Sequence, residues 1–344
     1  KLAEQTFAQL AANSPEQAFN ELLIAVQEES EVHRIVLPYR AWDLLDIVGR
    51  EHAHTLLRQS VRYCVDNESP KYRANCRAGA DELPKLFDQY KLAGKTPGKK
   101  QPDGNWVDSL ARTIFESEPA RAADAVAAAL AEGISPELVG EAMSLAANQL
   151  VLRDRGRTAE QARPGKPVGS VHGDSIGVHA CDSANAWRNM ARVSNSRNTI
   201  ASLILGSYQV AFDRARWGES FLKWQPYPTD EHRELVKMSS APDLLRKAEE
   251  SIRANDQARA VAVVARYSEL NQPHEPVFQL LLKFAISEDG SLHAEKYFRT
   301  ASEEFAATRP EFRWRQLMAL ARVTASEFGN PAPGYQQALQ LLPS

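Results

Sequence analysis

GSVHGDSIGVHACDSANAWRNMARVSN, residues 169–195, is the densest group of metal-binding and proton-transferring side chains in the chain. Two histidines, two aspartates and a cysteine fall within eleven residues of it. From Asp174 to Val193 the apolar residues recur at helical spacing, which predicts that a helix carries most of these groups. The same spacing, followed outward from this stretch, decides the fold class.

Helical patterns continue on both sides of the stretch. Ser14-Pro15 and Ser135-Pro136 are typical helix starts, because serine can cap free N–H groups and proline costs nothing at the first helical position. Alternating β-branched runs, which would indicate strands, are nearly absent. The sequence therefore predicts an all-α fold.

A recurring order of segments predicts an internally duplicated helical bundle with long connecting loops. An apolar helix is followed by a histidine and then by two more helices, and the interval from Trp42 to Tyr63 equals that from Trp187 to Tyr208, at 21 residues. We expect three helical units, residues 1–92, 93–225 and 226–344, packed as one globular domain. The basic, Gly/Pro-rich stretch 93–105 is the predicted linker.

Composition narrows the function classes. The chain has 344 residues, 43% hydrophobic and 25% charged, with a net charge of -3, so no basic excess indicates a nucleic-acid partner. No apolar run approaches the roughly 20 residues that span a bilayer. Three cysteines at no recognised spacing indicate neither a disulfide framework nor a covalent haem. We expect a soluble protein, with the cytoplasm favoured over export.

Four histidines occupy the recurring positions and are the predicted metal ligands. If the duplicated segments pack face to face, these side chains converge on one interior site, as ligands in helical bundles do. Because the middle segment holds two histidines, which of them is functional stays open. The predicted ligands are His33, His172, His179 and His293.

Two carboxylates accompany these histidines and are the predicted catalytic residues, Asp174 and Asp182. His179 and Asp182 are three residues apart, so a helix places them on one face. An imidazole and a carboxylate on adjacent turns suit a metal site in which the carboxylate orients a ligand or moves a proton. The alternative is that Asp174 caps the helix, His179 is a hydrogen-bonded core histidine and Asp182 is solvated.

Familiar catalytic motifs are missing. The sequence has no GxGxxG after a strand, no P-loop, no HExxH and no GxSxG elbow. The Glu-x-x-His pairs of di-iron bundles are also missing, because none of the four predicted ligands has a glutamate three residues before it. These absences favour a mononuclear iron, copper or zinc site, or a haem ligated by one histidine.

Three segments resemble the questin oxidase-like family: HRIVLPYRAWDLLDIVGREHAHTLLRQSVRYC, VHGDSIGVHACDSANAWRNM and LHAEKYFRTASEEFAATRPEFRWRQLMALARV. That family is all-α and includes oxygen-dependent enzymes that cleave aromatic polyketide rings, so the resemblance implies an oxidative role. The chain also resembles helical regions of bacterial proteins that are joined to Rieske-type iron–sulfur domains. It has no Cys-x-His pair of its own, so such a cluster would belong to a partner or to a segment outside this sequence.

The sequence thus predicts a metal-dependent oxidase or oxygenase for a small organic substrate, with an aromatic one implied by the resemblance. Iron is the first choice of metal, with copper, zinc or haem as alternatives, and an iron–sulfur redox domain or protein is the expected partner. A different class of function fits the missing motifs equally well. In that alternative the chain is a non-catalytic helical scaffold that presents a groove to a redox partner.

Overall fold

A computed structural model describes residues 1–12, 14–68, 76–216, 220–289 and 293–342. Within these ranges the regular structure is helical, and the only strand-like pairings are three isolated bridges. The all-α prediction is confirmed, while the internal duplication stays a prediction. The α-helices are α1 (Leu2–Ala11), α2 (Pro15–Val26), α3 (Val32–Asp43), α4 (Leu45–Val48), α5 (Ala53–Asp66), α6 (Ala78–Gln89), α7 (Gly104–Glu116), α8 (Pro119–Ala131), α9 (Pro136–Arg153), α10 (Ile176–Val193), α11 (Ser196–Ala215), α12 (Ser220–Lys223), α13 (Asp230–Glu234), α14 (Ala241–Arg253), α15 (Gln257–Glu269), α16 (Glu275–Ser287), α17 (Ala294–Ala307), α18 (Trp314–Glu327) and α19 (Tyr335–Leu341).

Helix starts follow the local rules of capping. The Ser14 hydroxyl accepts a hydrogen bond from the backbone N–H of Gln17 at 3.1 Å, with Pro15 at the first helical position. Helix α9 likewise begins at Pro136, as predicted from its Ser-Pro start. Such caps depend on neighbours in the chain, which is why the sequence alone locates them.

Asp103 caps α7 and offers a direct test of this local stabilisation. Its carboxylate accepts a hydrogen bond from the backbone N–H of Trp106 at 3.1 Å. We expect Asp103→Ala to lower the free energy of unfolding by about 1 kcal/mol, because one N–H of the first turn loses its acceptor. Asp103→Asn, which keeps an acceptor in place, should stay within about 0.5 kcal/mol of the wild type in the same urea titration. Equal losses in both variants would contradict a capping role.

The described chain divides into two compact units, Lys1–Ala146 with Asp182–Arg216, and Ala147–Cys181 with Trp217–Ser344. In the first unit α11 is the inner helix, because every residue from 198 to 211 is buried. It packs against α2, α6, α7 and α8. A helix surrounded in this way is expected to carry apolar or small side chains on all sides, and α11 has Ile200, Leu203, Ile204 and Leu205 among its buried residues.

The second unit is built from paired helices joined by short connections. Helix α15 packs against α14 and α18, and α17 packs against α16 and α18. The unit also contains the end of α9, the start of α10 and the loop 154–175 between them. This loop and the first turn of α10 carry three of the six predicted site residues, His172, Asp174 and His179.

The boundaries of these two units differ from those of the three predicted segments. The stretch 93–105, predicted as a linker, lies inside the first unit. There the N–H of Lys100 donates to the carbonyl of Gly133, and the N–H of Ser135 donates to the carbonyl of Lys100, both at 3.0 Å. Glycine and proline content therefore marks a bound loop here rather than a boundary.

Candidate functional site

His179 and His293 meet in the second unit, although 114 residues separate them in the chain. His179 lies in the first turn of α10, where its backbone N–H donates to the carbonyl of Ser175. His293 immediately precedes α17, and its carbonyl accepts from the N–H of Tyr297. The two Nε2 atoms are 3.1 Å apart, and the ring centroids are 5.3 Å apart with the planes tilted by 37°. Both rings are half-buried.

This separation allows two kinds of chemistry. An N–H···N hydrogen bond forms if one Nε2 carries the proton and the other is bare. Alternatively, both nitrogens can ligate one ion: with metal–nitrogen bonds of about 2.0–2.1 Å, the 3.1 Å separation subtends roughly 100° at the metal. That angle lies between octahedral and tetrahedral values, so the pair fits two neighbouring ligands of one ion.

A second link joins the same two helices beside the histidine pair. Tyr297 follows His293 by one helical turn, and its hydroxyl lies 3.8 Å from the Sγ atom of Cys181. Both side chains are buried. This weak O–H···S contact holds the first turns of α10 against α17 and so supports the approach of the two imidazoles.

His172 lies in the loop before α10 and is almost fully buried. Its Nε2 is 2.9 Å from the carbonyl oxygen of Gly165, so this nitrogen carries the proton and donates. Its Nδ1 then accepts from the Ser326 hydroxyl at 2.8 Å. Burial lowers the pKa of His172 to about 4, so the ring is neutral at pH 7. Both ring nitrogens of His172 are hydrogen-bonded within the fold, so His172 has a structural role.

Cationic side chains surround the Asp174 carboxylate, so this carboxylate is not a free base. Its carboxylate accepts from Arg157 at 2.6 Å, from Lys166 at 2.7 Å, and also from Arg163. Burial acts to raise the pKa of Asp174, but the hydrogen bonds from Lys166, Arg163 and Arg157 hold that pKa well below its usual range. A carboxylate held in this way is a poor general base, so its catalytic role is not supported by its surroundings.

His33 belongs to the first unit, where it lies at the start of α3. Its Nδ1 contacts the Glu31 carboxylate at 2.9 Å, and that carboxylate also accepts from the Tyr63 hydroxyl and from the N–H of Arg34. Burial acts to raise the pKa of Glu31, but the hydrogen bonds from His33 and Arg34 outweigh it and lower the pKa to about 2. The other three predicted ligands lie in the second unit.

Asp182 follows His179 by three residues in α10 and is 2% exposed, which contradicts the alternative in which this carboxylate is solvated. Across the ranges that the structure describes, no group of three or more histidine, cysteine, aspartate or glutamate side chains is arranged to hold a metal ion. The described residues therefore form a two-histidine pair and not the predicted four-histidine site.

The cations around Asp174 are not among the residues predicted from the sequence. A signal for them exists in the sequence, because Arg163-Pro164-Gly165-Lys166 has the proline and glycine positions of a type II turn. Such a turn sets its first and last residues side by side, and here both reach Asp174. The partner of His172, Ser326, carries no comparable signal because it lies 154 residues away.

Comparison with known proteins gives no match that bears on this site. No family model, no curated protein and no solved structure matches the chain. Among the helices of the described ranges, none combines the length and the hydropathy needed to cross a membrane.

Proposed function

We propose that this protein is a metal-dependent oxidoreductase for a small organic substrate, with His179 and His293 holding a transition metal ion. The observation that carries the proposal is the 3.1 Å separation of their Nε2 atoms. Imidazole suits iron, copper and zinc, and iron remains the first choice because the proposed reaction uses oxygen. The resemblance to questin oxidase-like proteins supports an aromatic substrate and an oxidative reaction.

The residues of the chain would bind the metal ion and orient its ligands. Their helices hold the two imidazoles in place, and the contact between Tyr297 and Cys181 keeps those helices together. Since the described residues give no third ligand, substrate or water would complete the coordination. The metal would polarise a bound oxygen atom and exchange electrons. Asp182, one turn after His179, is the proposed group for moving a proton, and an iron–sulfur domain is the proposed electron donor.

Direct metal binding tests this proposal. Protein purified without a histidine tag should bind one divalent ion, measured by elemental analysis after gel filtration and by Co²⁺ titration followed by visible absorption. His179→Ala and His293→Ala should each weaken binding at least about tenfold, because each removes one ligand. His52→Ala, which removes an exposed histidine whose Nε2 lies 3.9 Å from the Glu51 carboxylate, is the matched control and should bind as the wild type does. Binding that survives in the double variant, or a wild type that binds no ion, would refute the proposal.

A second candidate is the non-catalytic helical scaffold. It is favoured by the lack of a three-ligand group in the described ranges and by the ability of the two rings to satisfy each other with one hydrogen bond. In that case the protein binds no stoichiometric ion, and His179→Ala changes stability alone. The Co²⁺ titration thus separates the two functions.

A further inference from the structure

A cavity of about 420 Å³ lies in the second unit, between the loop 154–175 and the first residue of α10. Its volume falls in the range of small-molecule sites. Two arginines line it, Arg157 and Arg163, together with the carboxyl groups of Asp154, Glu160 and Asp174. None of these residues belongs to the histidine pair.

Backbone hydrogen bonds fix the loop that forms this cavity. The N–H of Arg157 donates to the carbonyl of Ser170, and the N–H of Gly169 donates to the carbonyl of Arg157 at 2.8 Å. The two backbones approach so closely at Gly156 that a Cβ there would lie 2.2 Å from the carbonyl oxygen of Gly169, and the φ of Gly156 is +78°. Only glycine suits both the contact and the angle.

The cation-bearing turn is held just as firmly. The N–H of Lys166 donates to the carbonyl of Arg163 at 2.8 Å, and the reverse bond is 3.0 Å long. Gly165, at the turn, has a φ of +75°, and its carbonyl accepts from the buried ring of His172. Hydrogen bonds within the fold therefore fix the backbone of Arg163 and Lys166.

The cations beside Asp174 have more N–H donors than this carboxylate accepts. Three cations reach this one carboxylate. Arg157, at 10% side-chain exposure, gives Nη1 to Ser170 and Nη2 to Asp174 and the carbonyl of His172. Arg163, at 53%, bonds through Nη2 alone, so its Nε and Nη1 have no partner among the residues described. Because Nε–H and Nη1 lie on different edges of the guanidinium, the fork open to a ligand pairs one of them with the second N–H of Nη2, beside the cavity.

We propose that this cavity binds a small organic monocarboxylate, whose carboxylate group pairs with Arg163 and the cations beside it. Planar carboxylates match the arginine fork with two parallel hydrogen bonds. The acidic side chains of Asp154 and Glu160 line the same space, so they repel multiply charged anions and favour a ligand with one negative charge. The inference does not depend on metal at the histidine pair.

Calorimetric titration of the full chain, with a chelator present and ionic strength constant, tests the proposal. The probes are benzoate, its neutral analogue benzamide, and inorganic phosphate. We expect saturable benzoate binding, with benzamide at least about tenfold weaker because it lacks the charge. Arg163→Gln should weaken benzoate binding by about tenfold or more. Arg155→Gln removes an exposed arginine of the same loop that does not line the cavity, and it should bind as the wild type does.

Three results would overturn the inference: no saturable benzoate binding in the millimolar range, equal affinity in Arg163→Gln, or phosphate binding as tight as benzoate. Melting curves of both variants should overlay that of the wild type, since Arg163 is half exposed. If Arg163→Gln unfolds, Arg163→Lys replaces it, because lysine keeps the charge but loses the fork, and benzoate binding should still weaken. Because the chelator removes metal, these outcomes say nothing for or against the oxidoreductase proposal.

Discussion

Arg322→Ala should lower the free energy of unfolding of the second unit by about 3 to 4 kcal/mol. Arg322 is 2% exposed, and its two Nη atoms donate to the carbonyls of Val151 and Asp154 at the end of α9. The last carbonyls of a helix have no partner within it and carry its negative dipole end. The guanidinium also lies 4.1 Å from the centre of the Tyr227 ring. Alanine would leave buried carbonyls unsatisfied and open a space beneath that ring.

Urea denaturation followed by tryptophan fluorescence measures this loss. Arg322→Lys should fall between alanine and the wild type, since lysine can reach one carbonyl but not both. Arg259→Ala, on the exposed side of α15, is the matched control and should cost less than about 0.5 kcal/mol, because its ion pair with Asp256 is a surface contact. A loss below about 1 kcal/mol in Arg322→Ala would show that water replaces the guanidinium at the end of α9.

Stability should decline by about 3 kcal/mol between pH 6.5 and pH 4 because of His172 alone. Burial lowers its pKa from 6.5 to about 4 in the folded protein. Above pH 6.5 both states are neutral and the full stability is present. As the pH falls through this window, the unfolded chain binds a proton at His172 and the folded chain does not. The free energy of unfolding therefore decreases. Below pH 4 both states are protonated and this contribution levels off.

His172→Gln isolates this effect, because glutamine can still donate to the Gly165 carbonyl but does not titrate. The unfolding free energy of the wild type, relative to that of the variant, should fall steadily from pH 6.5 to pH 4. Other groups, such as Glu31 with its pKa of about 2, act equally in both proteins. Parallel pH profiles would contradict the prediction, and so would an NMR titration that places the pKa of His172 near 6.5.

Most of the fold could be predicted because its decisive information is local. The apolar spacing that defines α10 and α15, the cap at Ser14 and the start of α9 at Pro136 all involve residues within a turn or two of each other. The grouping of helices was harder. The first unit takes residues 182–216 from beyond a segment of the second, and a contact of that kind leaves no mark in composition or spacing.

The candidate site could be predicted only in part. The recurring order of segments placed His179 and His293 at matching steps, and they do lie together. The same order placed His172 among the ligands, yet Ser326 and Gly165 take both of its nitrogens. Asp174 was predicted to be catalytic because the cations that pair with its carboxylate lie in a stretch that was interpreted only as a polar loop.

By itself, the sequence determined that the chain is helical, where many of its helices begin, and which side chains were candidates for chemistry. These features follow from hydrogen bonds and side-chain spacings within a few residues. Only the tertiary structure decided which candidate side chains have their nitrogen or oxygen atoms hydrogen-bonded within the fold. That depends on partners such as Ser326, 154 residues from His172, and on the burial that sets each pKa. Those partners meet only when the helices pack.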